Sequence, residues 1–149
     1  MAISAITKLE RHAATIAKGQ HARVHPGQPC RLSEAASIGD AIVQGDLYLE
    51  VVAAVPDGYR RALQPVAQLV PGNTQGSRHC LDSLDGIEMW LPPQWPTVTQ
   101  LGPCLQLTQE RTVLHPVHGN VTIPAGMTIL CSYQREYDAE LQRERRNAD

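Results

Sequence analysis

The sequence predicts a mainly β fold: a small antiparallel barrel or sandwich of about six to eight short strands, with a helix at the N-terminus and room for a second at the C-terminus. Three observations carry this. Short runs alternate apolar and polar residues with period two, turn-forming residues separate those runs, and period-3.6 patterning occurs only in the first twenty residues.

The N-terminal segment gives the helix. From Ile3 to Lys18, Ile6, Leu9, Ala13 and Ile16 recur at three- and four-residue intervals, Lys8, Arg11, Thr15 and Lys18 lie elsewhere on the wheel, and Gly19 follows as a stop. Such an amphipathic helix packs on its own domain or serves as a contact to another chain. Residues 20–43 have no period and hold Pro26, Gly27 and Pro29, so they read as a linker, with His21 and His25 solvated and one short helical turn over Ser33–Ile38.

Residues 44–137 read as the β domain. Leu47, Leu49 and Val51 alternate with Tyr48 and Glu50, and Val55-Pro56-Asp57-Gly58 turns the chain. Pro65–Val70 looks like a strand. A polar loop, Gln75 to Leu81, comes next; then Asp85-Gly86 turns into a strand carrying Ile87, Met89 and Leu91. Leu105 and Leu107 belong to a strand, as do Thr112–Leu114, Val121 with Ile123, and Met127, Ile129, Cys131 and Tyr133. Residues 138–149 are charged and proline-free, which suits a tail or a solvent-facing helix.

Composition narrows the functional classes. A 149-residue chain with a formal charge of −2 creates no field that would draw in a phosphate backbone, so no broad nucleic-acid surface is expected. Lys8, Glu10, Arg11 and His12 interrupt any signal-peptide-like run, and no window reaches 18 apolar residues. The expectation is a soluble, cytoplasmic protein without membrane contact. Cys30, Cys80, Cys104 and Cys131 are too far apart for a CxxC knuckle and read as reduced and buried.

One stretch has the pattern of a chemical site. In His115-Pro116-Val117-His118-Gly119 the proline favours a tight turn, whose first and fourth residues approach within about 7 Å, so both imidazoles can face one way. Imidazole nitrogens suit zinc, and three of them leave a fourth position for water. His79, in the other glycine-containing polar loop, is the natural third ligand, with Ser77 and Glu110 as supporting hydrogen-bond partners. The predicted ligand set is therefore His79, His115 and His118 for a zinc ion; no catalytic residue is singled out, and enzyme activity stays open. The competing reading is a non-enzymatic structural or interaction module, a phage or mobile-element accessory or assembly protein. There the histidines only tie loops together, and the N-terminal helix contacts a second copy or another protein.

The order of motifs resembles that of an uncharacterised family of small bacterial and phage-encoded proteins. Its pattern has a Gln-Gly-Asp before a strand, a Gly-His-x-His loop, a His-x-x-His turn, a Pro-x-Gly turn and a C-terminal Gln-Arg-Glu-Tyr. The matching residues here are Gln44-Gly45-Asp46, Gly76-Ser77-Arg78-His79, Leu114-His115-Pro116-Val117-His118, Pro124-Ala125-Gly126 and Gln134-Arg135-Glu136-Tyr137. The resemblance implies a histidine site joining the two distant segments, and a virion-associated location if the chain is phage-encoded. Ser77 stands where the pattern has its first histidine, which leaves three of four.

Overall fold

The fold was analysed in a computed structural model that describes residues 21–23, 30–71, 79–95, 101–133, 135–138 and 143–146. The expected N-terminal helix lies outside these residues, as does Ser77. Among the described residues every regular element is a strand.

Two sheets form a sandwich-like pair. The larger has β1 (His21–Arg23), β3 (Ala41–Gln44), β4 (Leu47–Val51), β5 (Arg60–Arg61), β7 (Ile87–Leu91), β8 (Leu101–Leu107) and β11 (Thr128–Tyr133), in the order β1-β3-β4-β11-β8-β7-β5. The smaller has β2 (Cys30–Arg31), β6 (Cys80–Leu81), β9 (Arg111–Leu114) and β10 (Val121–Ile123), in the order β2-β10-β9-β6. Neither sheet closes on itself, so the sandwich is realised and not the barrel. No helix among the described residues is long and apolar enough to cross a membrane.

Period-two alternation builds the core as expected. Ile42, Leu49 and Cys131 are cross-strand neighbours, as are Val51, Ile129, Leu105 and Met89, and all pack in one buried cluster with Leu81, Val113, Val121 and Ile123 of the smaller sheet. Gly102 sits where β8 passes under Tyr133. A Cβ there would lie 2.7 Å from the Tyr133 ring carbon Cζ, closer than packed carbons approach. The Tyr133 hydroxyl donates to the Leu69 carbonyl at 2.6 Å, and that of Tyr59 to the Gly102 carbonyl at 2.9 Å.

Four expectations need correction. Residues 20–43 are not simply a linker, since β1, β2 and the first residues of β3 fall within them. β3 escaped the sequence reading because Ala41, Ile42, Val43 and Gln44 are all buried, so the strand has no alternation to detect. Ser33–Ile38 makes separate reverse turns, closed by Ala36 N–H to Ser33 O at 3.0 Å and Asp40 N–H to Ser37 O at 2.9 Å, and no helical turn. Near the C-terminus, β12 (Arg135–Asp138) and β13 (Arg143–Arg146) pair antiparallel where a helix was one option, with Glu136 in register with Arg145 and Asp138 with Arg143. Pro65–Val70 contributes a single bridge, Gln68 to Cys80. That bridge matters for the site, because Leu69 N–H donates to His79 O at 2.7 Å and fixes the chain just before β6.

Candidate functional site: a buried histidine cluster

Three short-range devices bring the residues together. The two-residue turn Gly45-Asp46 joins β3 to β4, with Gly45 at φ +57°, a left-handed conformation that glycine adopts without strain. It leaves Gln44 and Asp46 on either side of Gly45, both fully buried. His79 enters β6 held between Leu69 and β9, and is also fully buried. The turn at 116–118 follows β9 and presents His115, buried, and His118, half-buried.

The predicted histidines do meet. Ring centroids of His79 and His115 are 4.4 Å apart, those of His115 and His118 4.4 Å, and those of His79 and His118 6.3 Å with the rings near-parallel. The proline corner and a residue from the middle of the chain thus form one cluster.

Three of the six ring nitrogens, however, are engaged elsewhere. Gln44 Nε2 donates to the Val113 carbonyl at 3.0 Å and the Gly119 carbonyl at 2.6 Å, which fixes its amide so that Oε1 faces His79. His79 Nδ1 lies 2.7 Å from that oxygen and must therefore donate. On the other side His79 Nε2 lies 3.1 Å from Asp46 Oδ1. A carboxylate oxygen opposite a ring nitrogen shares one proton with it, so neither nitrogen of His79 offers a lone pair to a metal.

His115 is bound locally. Its Nδ1 accepts the backbone N–H of Val117 at 3.1 Å and of His118 at 3.0 Å, capping its own turn as an Asx side chain would. That arrangement sets the proton of a neutral His115 on Nε2. The backbone N–H of His115 in turn donates to Asn120 Oδ1 at 3.2 Å, which closes the loop.

In this conformation the donor set does not fit zinc, which needs three imidazole lone pairs converging at about 2.0–2.1 Å. Among the described residues no group of three or more His, Cys, Asp or Glu side chains is arranged to hold a metal ion. Glu110 is exposed and ion-paired with Arg31, and the oxygens that serve His79 come from Gln44 and Asp46 instead. Sequence reasoning missed these two. Gln44-Gly45-Asp46 reads as an ordinary polar turn, and the one available signal was its place in the motif series.

All four cysteines are free; Cys104 and Cys131 are buried as expected, whereas Cys30 and Cys80, at the ends of two-residue strands of the smaller sheet, are only half-buried, and burial pushes the Cys104 thiol up to about 12, opposite to what a nucleophile requires.

The family comparison coincides with this architecture. A model of a domain of unknown function, DUF8820, matches residues 43–131, more than half of the chain. The chain belongs to the DUF8820 family. The matched DUF8820 segment runs from the end of β3 to β11 and contains Gln44, Asp46, His79, His115 and His118. No curated protein and no solved structure matches the chain.

Proposed function

We propose that this chain is a non-enzymatic structural or interaction module, a β-sandwich in which the histidine cluster is a buried clasp and not a catalyst. The observation that carries this reading is the commitment of His79. Both ring nitrogens are engaged by Gln44 and Asp46, and all three side chains are fully buried. A general base needs a nitrogen within reach of substrate, and His79 presents none. What the network does is mechanical: it ties the β3–β4 hairpin to the start of β6 and, through the Gln44 amide, to β9 and the histidine turn. The chain then acts through its surface, toward a second copy or another protein.

A second reading keeps the zinc site, favoured by one observation, the three imidazoles within 6.3 Å of each other. It requires His79 to give up Gln44 and Asp46, and His115 to exchange its ring proton. Elemental analysis of protein purified without an affinity tag, combined with melting in the presence of a chelator, separates the two. The clasp predicts less than about a tenth of an equivalent of any transition metal and an unchanged Tm. Near-stoichiometric zinc with a fall in Tm on chelation would replace it by the metal site.

A further inference from the structure

Each sheet takes its edge strand from the chain that precedes β3. β1 pairs parallel with β3, His21 in register with Ala41, and β2 pairs parallel with β10, Cys30 in register with Val121 and Arg31 with Thr122. The other described strand pairings are antiparallel. Both edge strands also lie outside the matched DUF8820 segment, residues 43–131. Without them β3 and β10 would be open edges, each with a row of backbone groups seeking partners.

The hold of β2 on β10 is slight. Cys30 N–H donates to Asn120 O and Leu32 N–H to Thr122 O, both at 2.9 Å, and the side-chain tie is the exposed guanidinium of Arg31 on Glu110. An exposed ion pair adds little, and a strand this short opens far more readily than the core. The seat that it occupies is nevertheless demanding. Leu32 is buried in the core cluster and Cys30 packs against it, so a lifted strand uncovers an apolar notch beside an open edge.

We propose that the arm carrying β1 and β2 is exchanged between two copies of the chain, each laying its strands on β3 and β10 of the other. The inference rests on the reading of the chain as an interaction module, and it names the surface and the partner. The partner follows from identity: a second copy's arm recovers across the interface every hydrogen bond and the Leu32 burial that the arm makes within one chain. The hinge is residues 33–38, all exposed except the half-buried Ala36, before Gly39 N–H is anchored to Val51 O at 2.8 Å. It carries Ile38, 69 % exposed, an apolar side chain available to the contact where two hinges meet.

The test mixes full-length chains that carry Arg31→Cys and Thr122→Cys separately, holds them at about 100 μM and oxidises them, while light scattering follows the unaltered chain over the same range. Paired residues on neighbouring strands lie about 4.8 Å apart, within the span that a disulfide bridges, so a 31–122 link between chains reports an arm seated on another copy's β10. The expected result is 31–122 links at least about tenfold more frequent than 31–31 or 122–122 links. The mass of the unaltered chain should rise from 16.3 kDa towards twice that value with concentration. Links no more frequent than like-with-like, or a mass that stays at 16.3 kDa, would overturn the exchange. A dimer lacking the 31–122 link would assign the contact to another surface and also overturns it. Should either variant fail to fold, a photo-cross-linker at position 31 decides: adducts on the β10 peptide of an isotope-labelled second copy uphold the exchange, and adducts confined to one chain refute it. None of these outcomes alters the metal analysis and chelator melt, so the exchange can fail while the interaction-module reading stands.

Discussion

Asp46 Oδ1 lies 3.1 Å from His79 Nε2, between side chains 33 positions apart in sequence and with neither exposed to solvent. A buried ionisable pair of this kind is strongly coupled to the fold, because removing one partner leaves the other desolvated. His79→Ala strips partners from both Asp46 and Gln44 at once. It should lower stability by about 3 kcal/mol, read as a fall in the urea midpoint without a change in slope. A loss below about 0.5 kcal/mol would show that the network contributes nothing to holding the hairpin.

His115 offers a sharper chemical discrimination. Its Nδ1 caps the amides of residues 117 and 118, a task that an asparagine side-chain oxygen performs equally well. His115→Asn should therefore stay within about 0.5 kcal/mol of the unaltered chain, whereas His115→Ala should lose about 1–2 kcal/mol. Equal losses in both variants would indicate that the imidazole itself is required.

Gly102 tests the packing of β8 under Tyr133. An added methyl would push the tyrosine ring from its place and loosen its hydroxyl from the carbonyl of Leu69, the residue whose N–H donates to the His79 carbonyl. Gly102→Ala is expected to cost about 2–3 kcal/mol by thermal melting, in the range of overpacked cores. Wild-type stability in this variant would refute the close approach.

The raised Cys104 pKa gives a stability-versus-pH prediction. A folded-state value of about 12, above the ordinary 9.0, means that folding favours the protonated thiol. Its contribution is complete below pH 9 and is lost as pH rises towards 12, so the urea midpoint should fall over that window. Burial raises the Tyr59 phenol as well, and it acts in the same direction. Replacing Cys104 with serine should flatten the early part of the decline; an unchanged profile would remove the thiol as a cause.

The sequence revealed those strands in which apolar and more polar residues alternate along the chain, whichever faces the fold then buries. β4, β7, β10 and β11 were legible because residues such as Leu47, Leu49 and Val51 alternate with more polar neighbours. β3 was not, because Ala41, Ile42 and Val43 form an unbroken apolar run with no alternation, and β2, β5 and β6 are two-residue strands too short to show a period. At the site, the meeting of His79 with His115 and His118 could be anticipated from a proline turn and a motif series. Which nitrogen faces which oxygen could not. Tautomers follow from hydrogen bonds made by Gln44 and Asp46, whose burial depends on a hairpin packed against a distant loop.

The account depends most on where the imidazole protons reside, and a long-range nitrogen–proton NMR spectrum of tag-free protein reads this directly. The predicted spectrum has a protonated Nδ1 on His79, and on His115 a bare acceptor Nδ1 with the proton on Nε2. A His115 protonated on Nδ1, together with a metal-shifted nitrogen on His79, would contradict the clasp and restore the metal centre.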